Sequence, residues 1–440
     1  MRTNPLRFLE EVARHGPVAQ FRIGSQRIFV LSDPDGIEDV LITRASSFAK
    51  GRALERAKRT LGEGLLTSEG AFHLRQRRLV QPAFHKARVA GYAEAMTRAA
   101  MATRDRWHAG QPLEVSAEMN RLTLAIVADT LFGAQVGSDS DTARVQQAIT
   151  SVMEMFDLVL VPFAEWLMYL PLPRIRQYRA SQAALDSVIY GIIAARRASN
   201  EDRGDLLSML LHAQDTEGAG GGMSDRQLRD EVITLFLAGH ETTANALSWT
   251  WVLLGRNPGI EAKLHAELDT VLANRAATAD DVGRLPYTRA VVAESMRLYP
   301  PAWTLGRRVL DDYAWAGHDI PRGSLILMSQ WLLHRDPRFW PEPERFSPER
   351  WLHESGGRPR FAYFPFGGGN RVCVGESFAW TEAIIVLATI AQRWRLVLDP
   401  DHPVEPHPLI TMRTRHGVRA TAQLRAHGLS VSDSCKPPAG

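Results

Sequence analysis

The chain has 440 residues, 45% of them hydrophobic and 23% charged, with a formal net charge of +3. That is the balance of a globular protein with a sizeable core, and it excludes a disordered or collagenous chain and makes nucleic acid a poor candidate partner. Two cysteines in so long a chain exclude a disulfide scaffold and point to a reducing, cytoplasmic compartment.

The N-terminal run MRTNPLRFLEEVARHG mixes acids and bases without an apolar h-region, so neither a signal peptide nor a membrane anchor is expected. Residues 19–33 alternate apolar and polar on either side of Gly24-Ser25, which predicts a hairpin. From residue 84 to residue 198 the spacing is helical. The most apolar part of that region, residues 155–172, is broken by Asp157, Pro162, Glu165 and Pro171. It falls short of about 20 uninterrupted apolar residues and reads as buried or lid-forming protein.

Ser224-Asp225-Arg226-Gln227 has the form of a capping box, and a mostly apolar run follows from 228 to 254, stopping near Pro258. A helix apolar nearly all round is buried, so its polar positions His240, Glu241, Thr242 and Thr243 need a reason. A further helix carries Glu294 and Arg297 and ends at Tyr299-Pro300-Pro301. Short strands are expected around residues 320–323, then a Pro-rich irregular stretch over 336–349, a glycine-rich segment holding Cys373, and a final helix over 376–395. The predicted class is mainly α with small β-sheets. No linker separates independent units, so one domain spanning 1–440 is expected, with the last ~15 residues a disordered tail.

The most specific signal is Phe366-Gly367-Gly368-Gly369-Asn370-Arg371-Val372-Cys373-Val374-Gly375, spaced F-x-x-G-x-R-x-C-x-G and leading into a helix. Ordinary residue frequencies produce such a match in a chain this long with odds on the order of one in ten thousand. Its residue types suit a sulfur that binds haem iron. Glycines let backbone N–H groups approach the sulfur, the following helix N-terminus favours its negative charge, Arg371 suits a haem propionate, and Phe366 screens the sulfur from water. The plain alternative is a buried cysteine in a glycine turn. Cys435, in the polar tail, has none of that setting.

With this motif the sequence resembles the cytochrome P450 family, from the first hairpin to the last strand. The resemblance implies the P450 fold, with haem b (iron protoporphyrin IX) between the central helix and the loop of Cys373, its axial ligand. Ala238-Gly239-His240-Glu241-Thr242-Thr243 is similar to the family's pattern of small residue, Gly, any residue, acid, Thr. Thr242 is placed to bond back to the Ala238 carbonyl, and Gly239 to leave room beside the iron. Glu241 and Thr242 are then the expected catalytic pair, relaying protons to the distal side.

Glu294-Ser295-Met296-Arg297 alone reads as an ion pair; by resemblance Arg350, in Pro348-Glu349-Arg350-Trp351, completes a buried network that supports the cysteine loop. His73 and Arg77 share one helix side, and together with Arg371 and Arg307 they form the implied propionate set, although Arg308 competes with Arg307. Arg75, Arg78, Lys86 and Arg88 suggest a basic face for an acidic donor. No dinucleotide fingerprint or iron–sulfur cysteine set occurs, so a separate ferredoxin- or flavodoxin-type donor with its reductase is implied.

The implied pocket is lined by Leu65, Leu66, Leu235, Ala238, Ala302, Trp303, Leu305, Leu409, Ile410 and Thr411, with Phe163 and Trp166 in a lid. Its apolar character implies a hydrophobic substrate such as a terpenoid, fatty-acyl or steroid-like molecule. The expected reaction is hydroxylation or epoxidation with dioxygen. A peroxide-dependent or non-inserting haem-thiolate enzyme is the first rival, and a haem sensor or ligand-binding protein the second.

Overall fold

The structure is a computed structural model that describes residues 4–133, 172–199, 201–216, 220–353 and 357–425. Phe163, Trp166, Cys435 and the expected tail lie outside the described residues. Helices carry most of the chain, and the longest, Asp225–Arg256, runs through the body. Its start is the capping box read from the sequence, with the Ser224 hydroxyl accepting from the Gln227 N–H and the Gln227 side chain accepting from the Ser224 N–H. It ends because Pro258 cannot continue it, and a new helix, Pro258–Leu272, begins there.

Around this central helix pack Lys86–Arg106, Val115–Phe132, Pro286–Leu298 and Glu376–Ala391 in one continuous apolar cluster that includes the buried Trp249 and Trp251. A second cluster joins its N-terminal half to Gly70–Val80 and Pro173–Ser199.

The hairpin Val18–Ile23 and Gln26–Leu31 turns at Gly24, whose φ of 56° suits glycine. It forms the edge of a five-stranded sheet that continues through Leu325–Met328, Leu305–Val309 and Phe48–Lys50. Residues some 250 positions apart in sequence, such as Lys50 and Arg307, are thereby placed opposite one another.

Two expectations shift. The final helix stops at Ala391, because Trp394–Leu398 alternates and pairs with Arg419–Leu424 instead. The helical region is also interrupted by Pro112–Glu114, a short strand added to that sheet.

Candidate active site

The loop of residues 366–375 folds back on itself, the Cys373 N–H donating to the Phe366 carbonyl at 3.0 Å. Gly369 sits at φ 70°, and a Cβ there would collide with the carbonyl of Leu41. No other residue type fits this turn. Gly375 caps the helix Glu376–Ala391 and directs its N–H at the sulfur. Cys373 keeps one open side. Protein encloses it elsewhere, and that burial pushes its thiol up to about 11, with the Gly375 N–H and, more weakly, Arg77 acting the other way. Left alone, this sulfur stays protonated near neutrality; a bound cationic metal is what removes the proton.

One face of the central helix is open in a region otherwise buried. Leu235, Ala238, Gly239 and Thr242 retain surface, while Phe236, His240, Glu241 and Thr243 are covered. These open positions recur at three- and four-residue spacing, so they form a single stripe. The Thr242 hydroxyl donates to the Ala238 carbonyl at 2.7 Å, and that of Thr243 to Gly239 at 3.2 Å. Glu241 points elsewhere: its Oε1 accepts from Arg413 Nε at 2.7 Å and from the Thr411 hydroxyl. Sequence reading missed both partners, which come from the end of the chain.

Around the first turns of Gly70–Val80 lies a concentration of buried positive charge. The His73 Nδ1 faces the Ser68 hydroxyl at 3.3 Å, and its buried Nε2 has no hydrogen-bond partner. Arg77 donates to the Val372 carbonyl at 2.8 Å, tying the helix to the cysteine loop. Arg371 pairs with Glu69. Arg307 is buried and donates to its neighbour's carbonyl, whereas Arg308 turns outward to Glu55.

Lys50, overlooked in the sequence, donates to the carbonyls of Leu65 and Ser68 and lies directly across the sheet from Arg307. Like charges opposite one another repel. Burial, with Arg371 adding to it, lowers Lys50 to about 7 and Arg307 to about 10. His73 falls to about 4 through burial and the charges of Lys50, Arg371 and Arg77. A cluster of cations with an orphaned imidazole nitrogen fits a dianionic group, as the two propionates of a haem would be. Together with the open sulfur and the open stripe, the residues present fit a haem.

A second buried charge cluster is satisfied from within. Arg297 donates through Nε and Nη2 to both oxygens of Glu294, at 2.9 and 2.8 Å, and its remaining N–H groups reach the carbonyls of His334, Pro343 and Arg345. Glu294 also accepts from Arg350 Nε at 3.2 Å, from Trp351 Nε1 at 2.8 Å and from the Ser347 N–H at 3.0 Å.

The implied pocket residues are only partly gathered. Leu65 and Leu235 pack on one apolar cluster, Trp303 donates its indole N–H to the Leu409 carbonyl, and Leu305 lies against Gly367 of the cysteine loop. Leu66 and Ile410 are exposed, and Ala302 is half-buried. Of the residues on the expected basic face, Arg75 and Arg78 share the buried Asp215, Arg75 also donates to the glycine carbonyls at 220–222, and Lys86 and Arg88 are exposed. One further group went unread: Glu382 is fully buried in the apolar final helix, and burial raises its carboxyl well above the usual range. A lone acid in that apolar run was the available signal.

Residues 2–417 match the family model described as Cytochrome P450, and the chain belongs to that family. It is a haem-thiolate monooxygenase, an enzyme class that takes electrons from a redox partner and binds hydrophobic substrates. It is 43% identical to "Cyclooctatin synthase" of Streptomyces melanosporofaciens, over 94% of this chain and 90% of that one. It is 35% identical to "Pentalenene oxygenase" of Streptomyces avermitilis, over 97% and 95% respectively. The crystal structure of the cytochrome P450DA heme domain superposes with a TM-score of 0.86 at 28% identity, covering 96% of this chain and 93% of that one. Among the described residues, no helix is long and apolar enough to cross a membrane.

Proposed function

We propose that this enzyme hydroxylates a cyclic terpenoid, using dioxygen and electrons from a separate ferredoxin- or flavodoxin-type donor, and that the chain acts as one catalytic domain. Support comes from the apolar residues at the open stripe, Leu235 and Ala238, and from the terpenoid names of the relatives. Haem b, when bound, would supply dioxygen activation; the Cys373 sulfur would bind its iron, and His73, Arg77, Arg307, Arg371 and Lys50 would hold its propionates. Phe366 packs at 5.9 Å from Trp380 and keeps water from the sulfur side. The Thr242 hydroxyl turns back onto the Ala238 carbonyl, while Gly239 lets the helix pack closely on Val127, which a Cβ would crowd at 3.1 Å. Glu241, buried, paired with Arg413 and adjoining Thr242, would take up a proton from water and hand one to Thr242 Oγ1, which would pass its own on.

The single observation carrying this reading is that an open Thr242 stands beside an anchored acid in a helix that packs on Glu376–Ala391, the helix leading out of the cysteine loop. The experiment is turnover of pentalenene and a panel of C15 and C20 cyclic terpenes with a surrogate donor under labelled dioxygen. One labelled oxygen atom per product is expected, and Thr242→Ala diverts reductant into peroxide. Unlabelled product, or turnover that needs only added peroxide, contradicts the proposal.

A further inference from the structure

The terminal hairpin offers more than a wall for the pocket. Its strands Pro406–Pro408 and Met412–Thr414 pair antiparallel, leaving a tip of residues 409–411. Met412 is pinned on both sides of its peptide backbone: its N–H donates to the Pro301 carbonyl at 2.9 Å, and its carbonyl accepts from Trp249 Nε1 at 3.1 Å. The residues flanking this fixed point both reach the same oxygen. The Thr411 hydroxyl, on the tip side, and Arg413 Nε, on the outer side, each donate to Glu241 Oε1. Asn245 Nδ2, one helical turn beyond Glu241, donates to Thr411 Oγ1 at 3.1 Å and so aims the hydroxyl.

The two arms face different surroundings. Leu409 is half-buried and fixed through its carbonyl to Trp303, while Ile410 is exposed. Arg413 is one-third open, with its side chain 33% exposed. Thr411 thus lies on the tip side of the pinned Met412, next to Leu409 and Ile410, whereas Arg413 lies beyond it. A hydroxyl hydrogen bond is short-ranged and directional, and it is lost with a displacement of about 1 Å; an ion pair tolerates that displacement.

We propose that this tip is a lever that reports pocket occupancy to Glu241. A bulky apolar ligand against Leu409 and Ile410 withdraws the Thr411 hydroxyl from the carboxylate, leaves Arg413 as its anchor, and frees the acid to reorient beside Thr242. Thr411 and Arg413 are positioning residues in this scheme, which rests on the haem-thiolate reading of the pocket.

The test is hydrogen exchange on the haem-loaded protein with two iron-binding probes: imidazole, too small to reach the hairpin, and miconazole, a bulky apolar azole. The visible spectrum reports ligation of both, so a failure of the haem reading shows itself separately as absent spectral shifts. With miconazole, amides of residues 409–413 exchange about threefold faster or more than with imidazole. Thr411→Val, which is isosteric but has no hydroxyl, abolishes that contrast, and Thr411→Ser restores it. Equal or slower exchange with miconazole in the wild type overturns the lever, as does a contrast that survives in Thr411→Val.

Discussion

Two of the buried charge clusters in this enzyme are balanced in opposite ways. Around Glu294, every N–H of Arg297 has an acceptor, and the carboxylate is shared among Arg297, Arg350, Trp351 and the Ser347 backbone. Lys50, His73, Arg307 and Arg371 crowd Glu69, the buried Glu231 nearby has its carboxyl raised to about 7 by burial, and the His73 Nε2 is orphaned. A network satisfied from within is structural. One whose crowding lowers the charge of its own members is suited to receive an anion, in keeping with the propionate role proposed for it.

Removing a member from the balanced cluster should have the largest effect. Arg297→Ala strands a buried carboxylate and is expected to cost about 3–5 kcal/mol, read by denaturant unfolding of the holoenzyme. A cost under about 1 kcal/mol would place the network outside the folding core. In the unbalanced cluster, Arg307→Ala should weaken haem retention about tenfold or more, because a charged hydrogen bond is lost. Arg308→Ala, whose partner is the exposed Glu55, should stay within about 0.5 kcal/mol of wild type. Transfer of haem to apomyoglobin separates the two, and equal effects erase the distinction drawn between these neighbours.

The pH dependence has a definite sign. In the haem-free protein Lys50 is pushed down to about 7 from 10.5, first by burial and then by Arg371. Propionates restore its charge, so its pKa rises on binding. The contribution of Lys50 to haem affinity is therefore full below about 7 and is lost as pH rises through the higher bound-state value. The affinity ratio of wild type to Lys50→Met should fall over that window; a constant ratio removes Lys50 from the site. The smallest change is expected at Glu382, kept neutral by burial. Glu382→Gln should alter the unfolding midpoint by less than Glu382→Asp, which retains a titratable acid and leaves a cavity.

What the sequence disclosed was carried by local strings. The Cys373 turn, the back-bond of Thr242 to Ala238, the capping box at Ser224 and the Glu294–Arg297 pair each lie within a few residues, so spacing alone placed them. What it concealed depends on contacts across the chain. Lys50 meets Arg307 only because a sheet joins them, and Glu241 is anchored by Thr411 and Arg413, some 170 positions away. Arg75 and Arg78 share Asp215, about 140 positions further along the chain. The final helix likewise ended early because residues 394–398 found a partner strand.

The central claim concerns one sulfur, and a spectrum addresses it. Reduced, haem-loaded protein exposed to carbon monoxide should show the strongly red-shifted Soret band of a thiolate-ligated iron, and Cys373→Ser should lose that band while retaining the fold. A wild-type band at the position of nitrogen-ligated haem, or a red-shifted band that persists in Cys373→Ser, would contradict the account.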